Sequence, residues 1–136
     1  MGLVQEEITL KNVRDKMKAE EGYIKEFEIR QTTVQAVVDT GAMNLVINEQ
    51  LRQELGLGVV GEREATLADN TKRTVKIAEP VEIRWKNRFM ICQPWVVSAG
   101  RILLGVIPLE YMDLMVDPNH QKLVGIHGEK EVGILY

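Results

Sequence analysis

The run from Thr33 to Ala42 constrains the fold of this chain more than any other. Thr33-Val34-Gln35-Ala36-Val37-Val38 is rich in β-branched residues and carries no charge, and it leads directly into Asp39-Thr40-Gly41-Ala42. Side chains branched at Cβ are stiff and fit a pleated sheet. The segment therefore reads as a buried strand that ends on a carboxylate. The rest of the chain has the same texture of short β-like runs broken by turn residues, without internal repeats or low-complexity tracts. That pattern predicts an all-β protein of the barrel or sandwich class with one or two short helices.

The remaining elements follow from local chemistry. Leu3 to Lys11 is expected to form a first strand, and the charged stretch Asn12 to Glu21 a loop. Tyr23 to Arg30 alternates in a half-buried strand pattern. A helix is expected from about Glu49 to Leu55, with Asn48 as N-cap and Gly56 as its end. Ala65 to Ala68 and Thr74 to Ala78 read as a hairpin whose tip is Asp69-Asn70-Thr71-Lys72. Val81 to Trp85 and Phe89 to Val97 form a second hairpin across Lys86-Asn87-Arg88. A short apolar run, Ile102 to Gly105, precedes a small helix around Pro108 to Tyr111. Leu114 to Val116 and Lys122 to Ile126 are strands around Asp117-Pro118-Asn119-His120.

Bulk properties narrow the function classes. At 136 residues the chain suits one domain, taken as residues 1–136. The net charge is −3, from 17 basic and 20 acidic side chains with no long block of either sign, and aromatics are only 5%. Nucleic acid and anionic membranes are therefore not expected partners. The single cysteine, Cys92, forbids an intrachain disulfide and fits a reducing compartment. Glu6 and Glu7 stand where a signal peptide would need its apolar centre, and no stretch is long enough to span a bilayer. A cytoplasmic location is the expectation.

Asp-Thr-Gly at the end of a buried strand suits a carboxylate that must be held rigidly. The Gly41 amide can point back at Asp39, Thr40 can both donate and accept hydrogen bonds, and small Ala42 leaves room beside the acid. A second carboxylate nearby would let the pair share one proton, one acting as general base on water and the other as general acid. Other residues read more plainly. Asp113 and Asp117 are expected to cap and turn the chain. His120 and His127 read as surface residues rather than metal ligands, and Cys92 as a buried structural thiol. Trp85 and Trp95 read as core or interface side chains.

Val38-Asp39-Thr40-Gly41-Ala42 followed by Leu45-Val46-Ile47 resembles the active-site loop of retroviral-type aspartic proteases. Leu103-Leu104-Gly105 ahead of Pro108-Leu109-Glu110-Tyr111 resembles their second hallmark, which in the family packs against the Asp-Thr-Gly loop. Thr66 to Thr71 falls where the family has its substrate-covering flap. More closely, the chain is similar to small bacterial and archaeal proteases of this clan, with Asp113-Leu114-Met115-Val116-Asp117-Pro118 matching their ending. The resemblance covers roughly residues 24–124.

The resemblance implies a retropepsin-like acid protease β-barrel. It further implies an aspartic endopeptidase acting on peptide or protein substrates, with Asp39 catalytic and Thr40, Gly41 and Ala42 supporting the loop. Ala68, Asp69 and Asn70 would contact substrate from the flap, although an ordinary exposed hairpin turn is an equal reading of Asp69 and Asn70. Asn70 replaces the usual flap glycine, and it tolerates the positive φ such a turn needs. No metal or organic cofactor is implied. One Asp-Thr-Gly per chain requires a homodimer, with Asp39 of each subunit meeting on the axis. The rival expectation is a non-catalytic peptide-binding or dimerisation module of the same fold. A third is a subunit of a larger assembly that offers sheet edges at Leu3 to Lys11 or Val124 to Tyr136.

Overall fold

A computed structural model describes residues 3–129. The first strand, β1 (Gln5–Asn12), is followed by a helix, α1 (Val13–Glu20), and a 3-10 turn (Glu26–Glu28). The uncharged run becomes β2 (Gln31–Val38), and β3 (Leu45–Asn48) passes directly into α2 (Glu49–Glu54). Two long strands follow, β4 (Val59–Thr66) and β5 (Lys72–Ala78). Next come β6 (Val81–Trp85), β7 (Arg88–Cys92), β8 (Trp95–Val97) and β9 (Ile102–Leu104). A third helix, α3 (Val106–Tyr111), leads to the hairpin β10 (Leu114–Asp117) and β11 (Lys122–Gly125).

The strands form one nine-stranded sheet in the order β4-β5-β8-β3-β9-β2-β1-β6-β7, with β10-β11 as a separate pair. The inner side is filled by Ile8, Leu10, Ala36, Leu45, Ile47 and Leu104 with Ile83, Met112 and Leu123. Burial of such aliphatic side chains stabilises the fold by about 1.5–3 kcal/mol each before entropy is counted. Among the described residues β4 and β7 are unpaired on their outer sides, so the sheet curls without a closing hydrogen-bond ladder.

The all-β expectation holds, and the differences are local. Among the described residues three short α-helices form rather than one or two. The expected loop from Asn12 to Glu21 is mostly α1, because side chains rather than an apolar stripe stabilise it. Asn12 caps it by accepting from the Asp15 backbone amide at 3.0 Å, and the Asn12 side-chain Nδ2 donates to Leu55 O at 2.8 Å. Buried Asp15 takes a hydrogen bond from the Arg30 amide and two from its guanidinium, at 2.8–3.0 Å. The Arg30 hydrogen bonds, working against burial, hold the Asp15 carboxyl below its ordinary range. Lys16 meets buried Glu82 at 2.8 Å. Burial pushes the Glu82 carboxyl up, but Lys16 overcomes it and the net shift is downward.

The expected strand from Tyr23 to Arg30 is absent. The backbone at its end is engaged elsewhere: the Asn12 backbone amide donates to Arg30 O at 2.9 Å, and the Arg30 amide donates to the Asp15 carboxylate. Tyr23 and Phe27 stand in solvent, and Ile29 alone of this alternation is buried. Of the expected edge at Leu3 to Lys11, residues Gln5 to Lys11 pair with β2 and only Thr9 onward with β6 as well; the other expected edge lies partly outside the described residues, at 130–136. The expected strand from Phe89 to Val97 divides into β7 and β8 at Gln93-Pro94, since proline cannot donate to a ladder. Around α2 the expected caps are in place: Asn48 accepts from Leu51 N at 2.9 Å, and Gly56 has φ +64°. Helix α3 starts two residues earlier than expected, at Val106.

Candidate active site

Strand β9 organises the loop after β2. It runs parallel to β2 (Val38 opposite Leu104) and antiparallel to β3 (Leu45 opposite Leu104). The connecting residues 39–44 are thereby pinned from both ends. The Asp39 amide donates to Leu104 O at 3.0 Å, and the Val106 and Ile107 amides donate to Ala42 O and Met43 O at 2.9 Å. Gly105 is what permits this approach: a Cβ there would lie 2.5–2.8 Å from the backbone of Ala42 and Asn44. Leu103-Leu104-Gly105 therefore packs directly against Asp39-Thr40-Gly41.

Within the loop, the Gly41 amide donates to Asp39 Oδ1 at 2.9 Å, and the Ala42 amide to Asp39 O at 3.1 Å. A side chain on Gly41 would press on that carboxylate at 3.1 Å. A site with little solvent was expected for Asp39, but in one chain Asp39 is half-buried and Thr40 and Gly41 are exposed. Among the described residues the Thr40 hydroxyl has no hydrogen-bond partner. Thr40 and Gly41 of this loop therefore lie at the surface of the single chain among the described residues.

Asp39 opens onto a cavity of about 640 Å³ beneath the β4-β5 hairpin, a size that accommodates small ligands or peptide side chains. Gly41, Ala42 and Met43 line it from the loop, Leu67 and Ala68 from the hairpin, and Val46, Val75, Trp95, Val97 and Leu103 from the sheet face. The structure thus brings Ala68 to the same cavity as Asp39. Asp69 and Asn70 sit at the tip and do not line it. Asn70 has φ +66°, the conformation its residue type tolerates. Asp69 accepts from the Thr71 hydroxyl and, at 3.0 Å, from its amide, which holds the carboxyl below its usual range.

Arg63, Glu64 and Trp95 also line the cavity, and the sequence reading had assigned the first two no role. Trp85 is buried in the core as expected, whereas Trp95 is a cavity wall. The sequence signal for Arg63 is the alternation Gly61, Arg63, Ala65, which places that side chain on the same face as its cross-strand partner Val75. It was missed because β4 starts at Val59, well ahead of the expected strand.

The other candidates lie elsewhere. Cys92 is partly buried against the core, and burial pushes its thiol up to about 12, which suits a structural thiol and not a nucleophile. Asp117 turns the chain by accepting from the Asn119 and His120 amides, and its carboxylate also meets the His120 ring at 2.7 Å. Asp113 does more than turn the chain. It is buried at φ +59°, 2.9 Å from the His127 ring and 4.0 Å from the buried Arg88 guanidinium. Each histidine thus has a carboxylate partner, Asp117 within the same turn for His120 and the more distant Asp113 for His127. Among the described residues no group of three or more His, Cys, Asp or Glu side chains is placed to hold a metal ion, and no helix is long and apolar enough to cross a membrane.

A family model of aspartyl proteases matches residues 26–117. Among solved structures, the chain is similar to the retroviral protease-like domain of Ddi1 from Leishmania major. That match has 20% identity, covers 68% of this chain and 78% of that one, and has a TM-score of 0.50. The EIAV protease complexed with the inhibitor HBY-793 is a weaker match, with 22% identity, coverage of 58% and 76%, and a TM-score of 0.44. No curated protein matches. At these identities the likeness to the Ddi1 domain concerns the fold alone: a curled, mostly β sheet with few short helices, the retropepsin-like arrangement.

Proposed function

We propose, starting from the fact that this chain belongs to the aspartyl protease family, that it is an aspartic endopeptidase active as a homodimer. The observation that carries the proposal is the setting of Asp39. Its carboxylate is held by the Gly41 amide, on a loop pinned to Leu104 O, at the mouth of a cavity under a hairpin. One chain supplies only half of the chemistry. The other carboxylate lining the cavity, Glu64, lies 3.3 Å from Lys72, an exposed ion pair. The exposed Thr40 and Gly41 leave a loop surface on which a second copy can complete the site.

In the dimer the two Asp39 side chains hold one proton and one water between them. The ionised carboxylate takes a proton from the water as its oxygen attacks the scissile carbonyl carbon. The protonated carboxyl donates to the developing oxyanion, giving a tetrahedral diol. Transfer of a proton to the amide nitrogen then lets the C–N bond break, releasing carboxylic acid and amine. Ala42 and Met43 would shape the floor, and Ala68 would approach substrate from the hairpin. Activity is expected to favour acidic to mildly acidic pH, because the pair must retain its shared proton. Residues 1–136 would form this one domain, acting on peptide or protein substrates in the cytoplasm. The narrower kinship with small bacterial and archaeal proteases rests on Asp113 to Pro118 and belongs to the same proposal.

The second reading, a non-catalytic binding or dimerisation module, draws on the half-exposed Asp39 of the single chain. Peptide-library digestion by wild type and Asp39→Asn, alongside the solution mass, separates the two. Cleavage by a dimer that is lost in Asp39→Asn supports the protease. Peptide binding without cleavage, or cleavage undiminished by the substitution, overturns it.

A further inference from the structure

The cavity wall is one continuous sheet face. Residues directly opposite one another in paired strands point to the same side. Arg63 lies opposite Val75, Ile77 opposite Trp95, Trp95 opposite Val46, and Val46 opposite Leu103. The cavity-lining side chains of this face are apolar except for Arg63. Among the described residues Arg63 takes part in no ion pair, while the nearby acid Glu64 is matched to Lys72.

Arg63 is also held in place. Its guanidinium carbon lies 5.4 Å over the centroid of the Trp95 ring. Stacking uses the flat face of the guanidinium, whereas its N–H donors lie in the plane and point outward. The contact with the tryptophan favours this placement of the exposed cation without consuming its hydrogen-bonding capacity. What remains is a planar fork suited to a carboxylate, beside a wall suited to aliphatic side chains.

We propose that Arg63, stacked on Trp95, is a specificity-determining residue that selects extended peptides carrying one Asp or Glu side chain on an otherwise apolar stretch. The proposal rests on the endopeptidase reading of the cavity. The acidic side chain sits away from the two residues flanking the scissile bond, because a carboxylate beside Asp39 would meet like charge.

The test uses the full chain and two arms. In the first, a peptide library locates the position of acidic preference, and paired peptides with Glu or Gln there are compared. Wild type is expected to favour Glu by about tenfold or more in kcat/KM, a charge-assisted hydrogen bond's worth. Arg63→Gln brings that ratio near one, and Arg63→Glu shifts the preference to Lys. Trp95→Leu, which frees the guanidinium, raises KM for the Glu peptide more than it lowers kcat. In the second arm, fluorescence polarisation measures binding of the same labelled peptides to Asp39→Asn protein and to Asp39→Asn/Arg63→Gln protein. A Glu preference that disappears with Arg63 supports the proposal even if wild type cleaves nothing, in which case the endopeptidase reading alone fails. A Glu-to-Gln ratio equal in wild type and Arg63→Gln, or no binding of either peptide, overturns the selection by Arg63 while leaving any Asp39-dependent cleavage intact.

Discussion

Asp15 and Asp39 are two aspartates treated in opposite ways by one fold. Asp15 is almost fully buried and receives three hydrogen bonds from Arg30. Asp39 is half-buried and receives one, from its own loop. Around Asp15 the partners are matched throughout: Asn12 caps α1 and reaches Leu55 O, and Lys16 meets Glu82. At the Asp39 site neither the Thr40 hydroxyl nor the Arg63 guanidinium has a hydrogen-bond or ion-pair partner among the described residues. Saturated charges lock backbone in place, whereas unsaturated charges on a fixed backbone are free to act on something else. The same residue type therefore stabilises in one region and offers chemistry in the other.

The strongest way to break this contrast is Asp39→Asn. It should lower peptidase activity by about 10³-fold or more, the scale of a lost general acid–base group. The melting temperature should hold, since little of the fold leans on this carboxylate. A large drop in melting temperature would place Asp39 in the same class as Asp15. Next in size is Gly105→Ala. The added Cβ would force the backbone of Ala42 and Asn44 aside, so activity should fall by about 10²-fold and stability by roughly 3 kcal/mol.

Asp15→Asn should do the reverse of Asp39→Asn, costing roughly 2 kcal/mol of stability in denaturant titration at neutral pH and leaving activity per folded molecule unchanged. The exposed side of Arg30 keeps the figure below that of a fully buried pair. The pH dependence sharpens the point. Because the folded-state carboxyl of Asp15 is held below its ordinary value of 3.8, its contribution is complete above that value. It is lost as pH falls through the lowered folded value. Wild type and Asp15→Asn should therefore converge in stability in strong acid and differ fully at pH ~7. The smallest expected effect is that of Cys92→Ala, about 1 kcal/mol in stability with activity unchanged. A thiol pushed up to about 12 should also leave activity indifferent to an alkylating reagent at neutral pH.

The site loop was legible from sequence and the clamp around Asp15 was not. Asp39, Gly41 and Leu104 are local signals: a β-branched run, a turn, an apolar pair before glycine. Helix α1 has only the Asn12 cap as a local signal; its other support comes from Arg30 and Glu82, 15 residues from Asp15 and 66 from Lys16. Tyr23 to Arg30 misled for the complementary reason. Alternation describes a strand only where a neighbour is available to pair, and the backbone at Arg30 is engaged by Asn12 and Asp15 instead. Arg63 carries no local signal because its setting depends on the Trp95 ring, which β8 supplies from a distant part of the chain.

The bridging position of β9 has a consequence for how the protein is made. Asp39 leaves the ribosome long before Leu104, the residue whose carbonyl fixes its amide. Until that late strand is synthesised and inserted between β2 and β3, the loop has no scaffold and the carboxylate no defined orientation. Such long-range pairing is slow to form. On the proposed function, a nascent chain is therefore harmless to itself and to its neighbours, and a chain halted after Gly100 should show no peptidase activity.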